Sequence, residues 1–351
     1  MNKFDLKLYS VQDLRNWLLH NQNVGGLDES IISRKRAYAI IHNPYVKDLD
    51  YVVSAIFENG AVSAYTAAFP DLLEGARIWW FTTLWCDPKS RGKGYGVLAI
   101  GSLFEGYGID SVFDLWSAPE TVGIFDYLGL DNRSIPEYHL REKRIDRHSV
   151  KGRIVCAWNH ISANSVQKKH KLQNAIASGK YDLEYVGFVD DETYSFIKNH
   201  SGDNLFRRSH EMMNWILQYP FIQACPLAET VKGKQSFRDV SSKYVLTGVR
   251  VLLDKKLIGF YILKDSDKGM DIKYLYYDSD YERLVFDSIA KHVLHFRPQS
   301  FMTRCKSLYE YLNSYSIFPR AEELPISFSY PRSFIHDHAA IVQAGDGDNF
   351  V

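Results

Sequence analysis

The sequence feature that most constrains the fold is a glycine-spaced turn within residues 84–96, which read LWCDPKSRGKGYG. The aromatic run before it, residues 78–85, is typical of a buried strand. Pro88 ends that strand because proline cannot donate to a sheet ladder. Residues 94–107, which follow the turn, have helical periodicity. A strand, a break, a glycine turn and a helix in this order indicate an α/β protein with a ligand at the junction.

The chemistry of this turn favours an anion. Gly92, Gly94 and Gly96 stand at alternate positions, so that backbone N–H groups approach a bulky group closely. The first turn of a helix offers free N–H groups and a partial positive charge. Arg91 and Lys93 add charged side chains. The sequence therefore predicts a phosphate or diphosphate site at this junction.

Of three other interpretations of the turn, the spacing excludes one and two stay open. A Walker A loop needs the spacing GxxxxGK[ST], which the turn does not have. The dinucleotide motif GxGxx[G/A] is matched literally by Gly94, Gly96 and Ala99, but it belongs at the start of a parallel sheet, and here a hairpin precedes it. The third interpretation is a glycine-rich turn that binds no ligand.

The predicted elements follow the same order twice along the chain. The first half contains two helices, at 11–20 and from about 29 to 42, then a meander of three strands around Asn59-Gly60, a helix, a strand, a helix and a last strand from about residue 138. The second half repeats this order between residues 191 and 330. A helix end, a proline and two apolar residues recur at 39–46 and 215–222. We interpret this pattern as an internal duplication.

The predicted domain boundaries follow from the repeat. Residues 1–145 form an N-terminal domain that carries the turn, and residues 146–180 form a connector with a helix near 164–177. Residues 181–335 form a C-terminal domain, and residues 336–351 form a flexible polar tail.

Composition and charge argue against several function classes. Lys plus Arg and Asp plus Glu balance at 42 each, which leaves no basic excess to neutralise nucleic acid. The four cysteines form no CxxC pair, which argues against zinc and disulfides and favours a reducing cytoplasm. No signal peptide or membrane span is expected, because no apolar run approaches ~18 residues. We therefore expect a cytoplasmic protein without a metal, and a homodimer stays open.

The turn resembles the coenzyme A-binding turn of the GNAT acyltransferase superfamily, which has the pattern [R/Q]xxGx[G/A]. Arg91, Gly94 and Gly96 fill its three defined positions, and Leu84 and Pro88 fit the strand and break that precede it. The order of elements extends the resemblance over about residues 4–143. The resemblance implies an α/β fold of two tandem GNAT-like domains, each a mostly antiparallel mixed sheet flanked by helices.

The resemblance also implies how acyl-coenzyme A binds. In the family the fourth strand parts from the fifth, and the pantetheine arm pairs with its backbone, here at Leu84, Trp85 and Cys86. The diphosphate would be held beside Arg91 by the amides of Gly92, Lys93, Gly94, Tyr95 and Gly96. The acceptor amine would attack the thioester carbonyl directly, with the oxyanion stabilised by backbone N–H. We interpret Cys86 as a small buried hydrophobe and not as a nucleophile.

The catalytic acid departs from the family pattern. GNAT enzymes often use a tyrosine four residues before a glycine to protonate the leaving thiolate. Phe125 occupies this position before Gly129 and has no proton to give. We therefore assign it to the cofactor site and not to proton transfer. Tyr127 lies two residues later and would face about 200° away on a helix. Tyr127 therefore acts only if the helix is altered, and a packed Tyr127 without a role is an equal alternative.

The general base is not fixed by the sequence. The candidates are Asp71, Glu74, Asp114 and Glu120, of which Asp114 lies inside a predicted strand. A carboxylate there is the one most readily buried with a perturbed pKa. We therefore take Asp114 with Tyr127 as the candidate catalytic pair.

The second half is predicted to be a degenerate copy. After its third strand the sequence reads DSDYER, which has no glycine and would repel a diphosphate. The sequence as a whole predicts an acyl-CoA-dependent N-acyltransferase, acetyl in the simplest case, that acts on a small amine. By resemblance to tandem proteins, an amino sugar of a surface-polysaccharide pathway is a candidate acceptor. The alternatives are a catalytically inactive acyl-CoA-binding or regulatory module, and a structural protein without a ligand.

Overall fold

The computed structural model describes residues 4–115, 117–142, 181–224, 240–334 and 339–347. The predicted connector, with its helix near 164–177, lies outside the described residues. Among the residues that are described, no helix is both long enough and apolar enough to cross a membrane.

The first half of the chain contains six strands and four helices in the described ranges. They are β1 (Phe4–Ser10), α1 (Val11–His20), α2 (Arg34–Ile41), β2 (Tyr51–Glu58), β3 (Ala61–Leu73), β4 (Ala76–Cys86), α3 (Tyr95–Tyr107), β5 (Val112–Leu115), α4 (Pro119–Tyr127) and β6 (Leu130–Arg141).

The second half repeats this order. Its elements are β7 (Asp182–Val186), α5 (Asp191–Asn199), α6 (His210–Gln218), the short pair β8 (Gln223–Ala224) and β9 (Val240–Ser241), β10 (Tyr244–Leu253), β11 (Lys256–Ser266), β12 (Gly269–Tyr277), α7 (Glu282–Phe296), β13 (Ser300–Thr303), α8 (Lys306–Ser314) and β14 (Arg320–Pro331). Apart from β8 and β9, the two orders are the same, so the predicted repeat is confirmed.

Four of the eight helices named above begin at a side chain that caps them. Ser10 accepts from the backbone N–H of Asp13, whose carboxylate returns the bond, and this capping box starts α1. Ser33 caps α2, Asp190 caps α5 and Ser209 caps α6 in the same way. These caps satisfy N–H groups that would otherwise have no partner.

Twelve strands form one sheet in the order β1-β2-β3-β4-β5-β14-β6-β13-β12-β11-β10-β7. The halves exchange strands at its centre, because β14 pairs with β5 and β6 pairs with β13. These two strands also pair with each other, antiparallel, from Arg320↔Arg141 to Pro331↔Leu130. Each half is thus completed by the last strand of the other, and a boundary near residue 145 does not separate two independent sheets.

The helix ends that share a sequence pattern meet at the interface between the halves. The indole N–H of Trp215 on α6 donates to the carbonyl of Ala39 on α2 at 2.8 Å. The ring of His42 stacks on that of Tyr219, with centroids 4.9 Å apart. The largest apolar cluster of the described residues runs from the first half into α5 and α6, so the two halves share a core.

A buried ion-pair network also joins the halves. Arg208, with 1% of its side chain exposed, contacts the carboxylate of Asp71 on β3 and lies 3.0 Å from that of Asp346. Asp346 is fully buried, and one of its carboxylate oxygens accepts from the N–H of Gln343 at 2.7 Å. Residues 339–347 are therefore packed against both halves. The predicted flexible tail over 336–351 is wrong for this part, because buried polar contacts fix the backbone.

Candidate active site

The site is a gap between β4 and β5. In the described part of the chain these parallel strands pair only at Trp79↔Val112 and Trp80↔Phe113, although β4 continues to Cys86. The β3–β4 register shifts from Ala67↔Thr83 to Ala68↔Phe81, so Thr82 is an extra residue in β4. Because such a bulge bends its strand, β4 turns away from β5 and the gap opens toward Cys86.

The bulge is held in place from α2. The guanidinium of Arg36 contacts the hydroxyl of Thr82. Arg36 is itself buried, and its guanidinium lies 4.5 Å from the ring centroid of Phe221 in the second half. A side chain of the second half thus supports the point at which the first half opens.

The glycine turn lies at the open end of this gap. Asp87 accepts from the N–H of Lys89 at 2.8 Å and starts a single 3-10 turn, Pro88–Ser90. Gly92 and Gly94 then have φ values of +81° and +79°. An added Cβ at either glycine would meet no atom within 4 Å, so their left-handed backbone and not lack of space calls for glycine.

Helix α3 starts differently from α1, α2, α5 and α6. Its first turn follows Gly94, and within the described residues no side chain caps it, which also holds for α4, α7 and α8. Its N-terminal N–H groups and partial positive charge therefore face outward beside the gap, an arrangement suited to an anion. A Cβ on Gly96 would make only ordinary contacts, at 3.5 Å from Ile124 and 3.9 Å from Leu84, so packing does not require glycine at this position.

Glu58 organises the turn, and sequence reasoning missed it. Its carboxylate accepts from Nζ of Lys93 at 2.7 and 2.9 Å, from the hydroxyl of Tyr95 at 3.2 Å and from that of Ser90 at 3.4 Å. The hydrogen bond to Glu58 raises the pKa of Lys93. Lys93 therefore forms an ion pair with the carboxylate of Glu58. The sequence held a signal for this contact. The hairpin at Asn59-Gly60 joins β2 to β3, and β3 pairs with β4, so Glu58 at the end of β2 lies near the end of β4.

The strand residues predicted to face pantetheine lie beside the gap. Leu84, Trp85 and Cys86 are half-buried in the last stretch of β4, after the bulge. The rings of Trp85 and Tyr65 stack with centroids 5.5 Å apart. Burial raises the pKa of the Cys86 thiol, which disfavours the thiolate that a nucleophile would need.

Phe125 and Tyr127 face different surroundings on α4. Phe125 is 1% exposed and packs its edge against Phe81, with centroids 5.7 Å apart. Tyr127 is 78% exposed at the end of the helix. The structure does not bring the two rings together, as their spacing on a helix implies. Any role of either residue in the reaction stays a prediction.

The four candidate bases lie in unlike environments. Asp114 on β5 is 8% exposed, and the hydroxyl of Ser117 donates to its carboxylate. Asp71 is bound to Arg208 and accepts from the indole N–H of Trp80 at 3.0 Å, so it acts as a structural anion. Glu74 and Glu120 are exposed, Glu74 at the β3–β4 turn and Glu120 in the first turn of α4. Asp114 is thus the buried candidate next to the gap.

The second half opens the same gap without the turn. Strands β12 and β13 pair at Met270↔Phe301 and Asp271↔Met302, and Lys273 is the extra residue of a bulge in β12. Asp278 starts a 3-10 turn, as Asp87 does, but α7 begins directly after it at Glu282. The segment 91–94 has no counterpart here.

No protein-family model matches the sequence, and no curated protein matches it. The fold resembles the "Putative Acetyltransferase" of Pyrococcus horikoshii, with a TM-score of 0.50 and 10% identity over 96% of this chain and 92% of that one. The comparison with a tandem GNAT protein from the clavulanic acid biosynthesis pathway has a TM-score of 0.49 and 11% identity over 93% of this chain and 98% of that one. The comparison with a GCN5-related N-acetyltransferase from Anabaena variabilis ATCC 29413 has a TM-score of 0.46 and 13% identity over 93% of this chain and 72% of that one. The predicted α/β fold is confirmed: two tandem units repeat one order of elements, and helices flank a mixed sheet. The likeness to the Pyrococcus horikoshii protein is one of fold.

Proposed function

We propose that this chain is an acyl-CoA-dependent N-acyltransferase of GNAT type, which transfers an acyl group, acetyl in the simplest case, to a small amine. The observation that supports it most is the meeting of two features. The gap between β4 and β5 opens toward Cys86, and the uncapped start of α3 lies at that open end. The gap suits the pantetheine arm with its amides, and the start of α3 suits the diphosphate.

The pantetheine arm fits the proposed gap because β4 is not paired on that side beyond Trp80 in the described residues. Backbone groups from Thr82 to Cys86 would pair with its amides as an added strand. The diphosphate would rest on the N–H groups between Gly92 and Gly96, with Arg91 as the mobile cation. Phe125 and Leu84 would form the apolar floor near the thioester.

The transfer step is a direct attack. The amine nitrogen forms a bond to the thioester carbonyl carbon, and backbone N–H of β4 stabilises the oxyanion that results. The collapse of this tetrahedral intermediate restores the carbonyl and breaks the C–S bond. The amine gives up one proton, and the departing thiolate takes one. We assign the first proton transfer to Asp114, directly or through water. Phe125 has no proton to donate, and Tyr127 is 78% exposed at the end of α4, so we assign the second to water.

The acceptor is proposed at the level of a small amine. An amino sugar of a surface-polysaccharide pathway is the specific candidate, and it rests on the sequence resemblance alone. Cytoplasmic location, acetyl-CoA as the donor and a homodimer belong to the same proposal.

The test of the site uses two matched glycines. Gly94 (φ +79°) and Gly75 (φ +83°) are both left-handed, and an added Cβ at either one would meet no atom within 4 Å. We expect acetyl-CoA at 100 times its Kd to stabilise the native chain by about 2.7 kcal/mol, seen as a rise in Tm. Gly94→Val should abolish this rise, and Gly75→Val, at the far end of β3–β4, should keep it. Equal protection of both variants, or of neither, would refute the site.

A non-catalytic acyl-CoA-binding module is the second candidate, favoured by the phenylalanine at the position of the family's acid. Release of free thiol from acetyl-CoA with a panel of amines and amino sugars separates the two. Binding together with thiol release supports the enzyme. Binding without thiol release for any amine supports the module.

A further inference from the structure

The gap of the second half is filled by the chain's own C-terminal segment, residues 341–347. The N–H of Gly345 donates to the carbonyl of Lys273 at 2.7 Å. The side-chain amide of Gln343 accepts from the N–H of Leu275 at 2.9 Å and donates to its carbonyl at 3.5 Å. The segment thus bonds the edge of β12 beyond its last pair with β13.

These bonds fall at the positions that the first half offers to its proposed donor. Aligning the two bulges places Lys273 on Thr82 and Leu275 on Leu84. The carbonyl of Lys273 and the N–H of Leu275 correspond to backbone groups of β4 that face the first gap. An amide of the chain therefore occupies, in the second half, the position proposed for an amide of pantetheine in the first.

The fit of the segment is close. The hydroxyl of Tyr274 donates to the carbonyl of Gly345 at 2.6 Å, and Arg304 donates to that of Gln343 at 2.8 Å. A Cβ on Gly345 would lie 2.2 Å from the ring of Tyr274, so a glycine is required there. At the entry to the gap, Ile341 exchanges two backbone bonds, each 2.8 Å, with Asp203 and Leu205.

The same segment continues to the first half. Asp346 binds Arg208, which also binds Asp71 of β3. At Gly347 an added Cβ would lie 3.2 Å from Leu115 and 3.4 Å from Trp80. Trp80 is in the last residue pair before β4 and β5 part, and Leu115 ends β5. The segment therefore bridges the filled gap and the base of the open one.

We propose that the second gap is a peptide-binding site and that its occupant is the chain's own segment 341–347, which enters through Ile341 and turns at residues 344–347. Its occupation replaces an acyl-CoA donor in the second half and holds the base of the first gap in its binding geometry. The second part of the inference rests on the function proposed for the first half. One acyl-CoA per chain follows from it.

The experiment displaces the segment with substitutions that lie in the second gap and change no residue of the first. Gly345→Ala should expel the segment through the clash with Tyr274, and Gln343→Leu should remove the amide while keeping bulk. Gly187→Ala is the matched control, because a Cβ there meets no atom within 4 Å. Near-ultraviolet circular dichroism checks that each variant folds.

Amide hydrogen exchange at Leu275 reports docking, and calorimetry with acetyl-CoA reports the first gap. In both variants we expect exchange at Leu275 to rise at least about tenfold. We also expect acetyl-CoA to bind about fivefold more weakly, with one site per chain in the native protein. Unchanged exchange at Leu275 would overturn the docking, and faster exchange with unchanged affinity would overturn the coupling. If the native chain fails to bind acetyl-CoA, the proposed function fails, while exchange still decides the docking.

Discussion

The two halves of the sheet open the same gap and use it differently. In each, two parallel strands pair at two positions and a bulge then turns one of them away, at Thr82 in the first half and at Lys273 in the second. The first gap ends at a glycine turn, and the second receives residues 341–347 of the chain. The sheet itself thus produces the gap. What the gap can bind depends on the glycine turn in the first half and on residues 341–347 in the second.

The helices that follow the gaps show the same division. Helix α3 has no capping side chain and no acidic residue in its first turn. Helix α7 follows Asp278 and Asp280 and starts with Glu282. Carboxylates at a helix N-terminus stabilise the helix itself. Neither helix has a side-chain cap in the part of the chain that the structure describes, but α7 carries an acidic residue in its first turn and α3 carries none, so the start of α3 is the one better suited to an anion.

The largest effect is expected from breaking the link between the two gaps at Arg208. Arg208→Met leaves Asp71 and Asp346 buried without their cation, and burial already raises the pKa of Asp346. Removing one partner of a buried ion pair costs about 3–5 kcal/mol of unfolding free energy, which urea unfolding would measure. Arg207→Met, an exposed neighbour, should cost less than about 0.5 kcal/mol. Similar losses in both variants would contradict the network.

A smaller effect is expected from making the second bulge resemble the first. Burial lowers the pKa of Lys273 to about 8 from 10.5, so the unfolded chain holds more protons between these pH values. The free energy of unfolding should therefore gain a positive slope with pH in this window. Lys273→Thr removes that contribution, so the free energy of unfolding of the variant, relative to that of the native chain, should fall as the pH rises from 8 to 10.5. Parallel pH profiles of the two proteins in urea unfolding would rule this out.

The smallest effect is expected at the turn. Glu58→Gln keeps acceptors for Ser90 and Tyr95 but releases Lys93 and removes a negative charge beside the proposed diphosphate. We expect acetyl-CoA to bind about two- to fivefold more tightly at low salt, with the gain lost at about 1 M salt. Calorimetry at the two salt concentrations is the measurement. Glu74→Gln, which removes an exposed charge at the far end of β3, should change nothing; tighter binding there would point to net charge instead.

Local structure was largely predictable from the sequence. The turn, the repeated order and the α1 bounds follow from glycine spacing, periodicity and caps. Helix α2 was expected from about residue 29 and begins at Arg34, because Ser33 caps it. Strand β1 was missed although Phe4, Leu6 and Leu8 alternate with polar residues. Boundaries like these depend on single caps and on neighbours that a local pattern does not contain.

Long-range contacts were not predictable in the same way. The exchange of β6 and β14 and the bonds of Arg208 join residues far apart in sequence, which periodicity cannot pair. The C-terminal segment misled because Gly-Asp-Gly-Asp is typical of mobile tails. Here Gly345 serves close approach to Tyr274, and Asp346 serves Arg208. The contacts that these residues make in the second gap explain why they occur in this segment.

The exchange of strands at the centre of the sheet has a consequence for biosynthesis. A ribosome delivers β5 and β6 long before β14, the strand that lies between them. During that interval the edges of β5 and β6 have no partner from their own neighbourhood, and such edges invite pairing with other chains. The first half therefore reaches its final form only after most of the second has been translated, and a nascent chain would need protection until then.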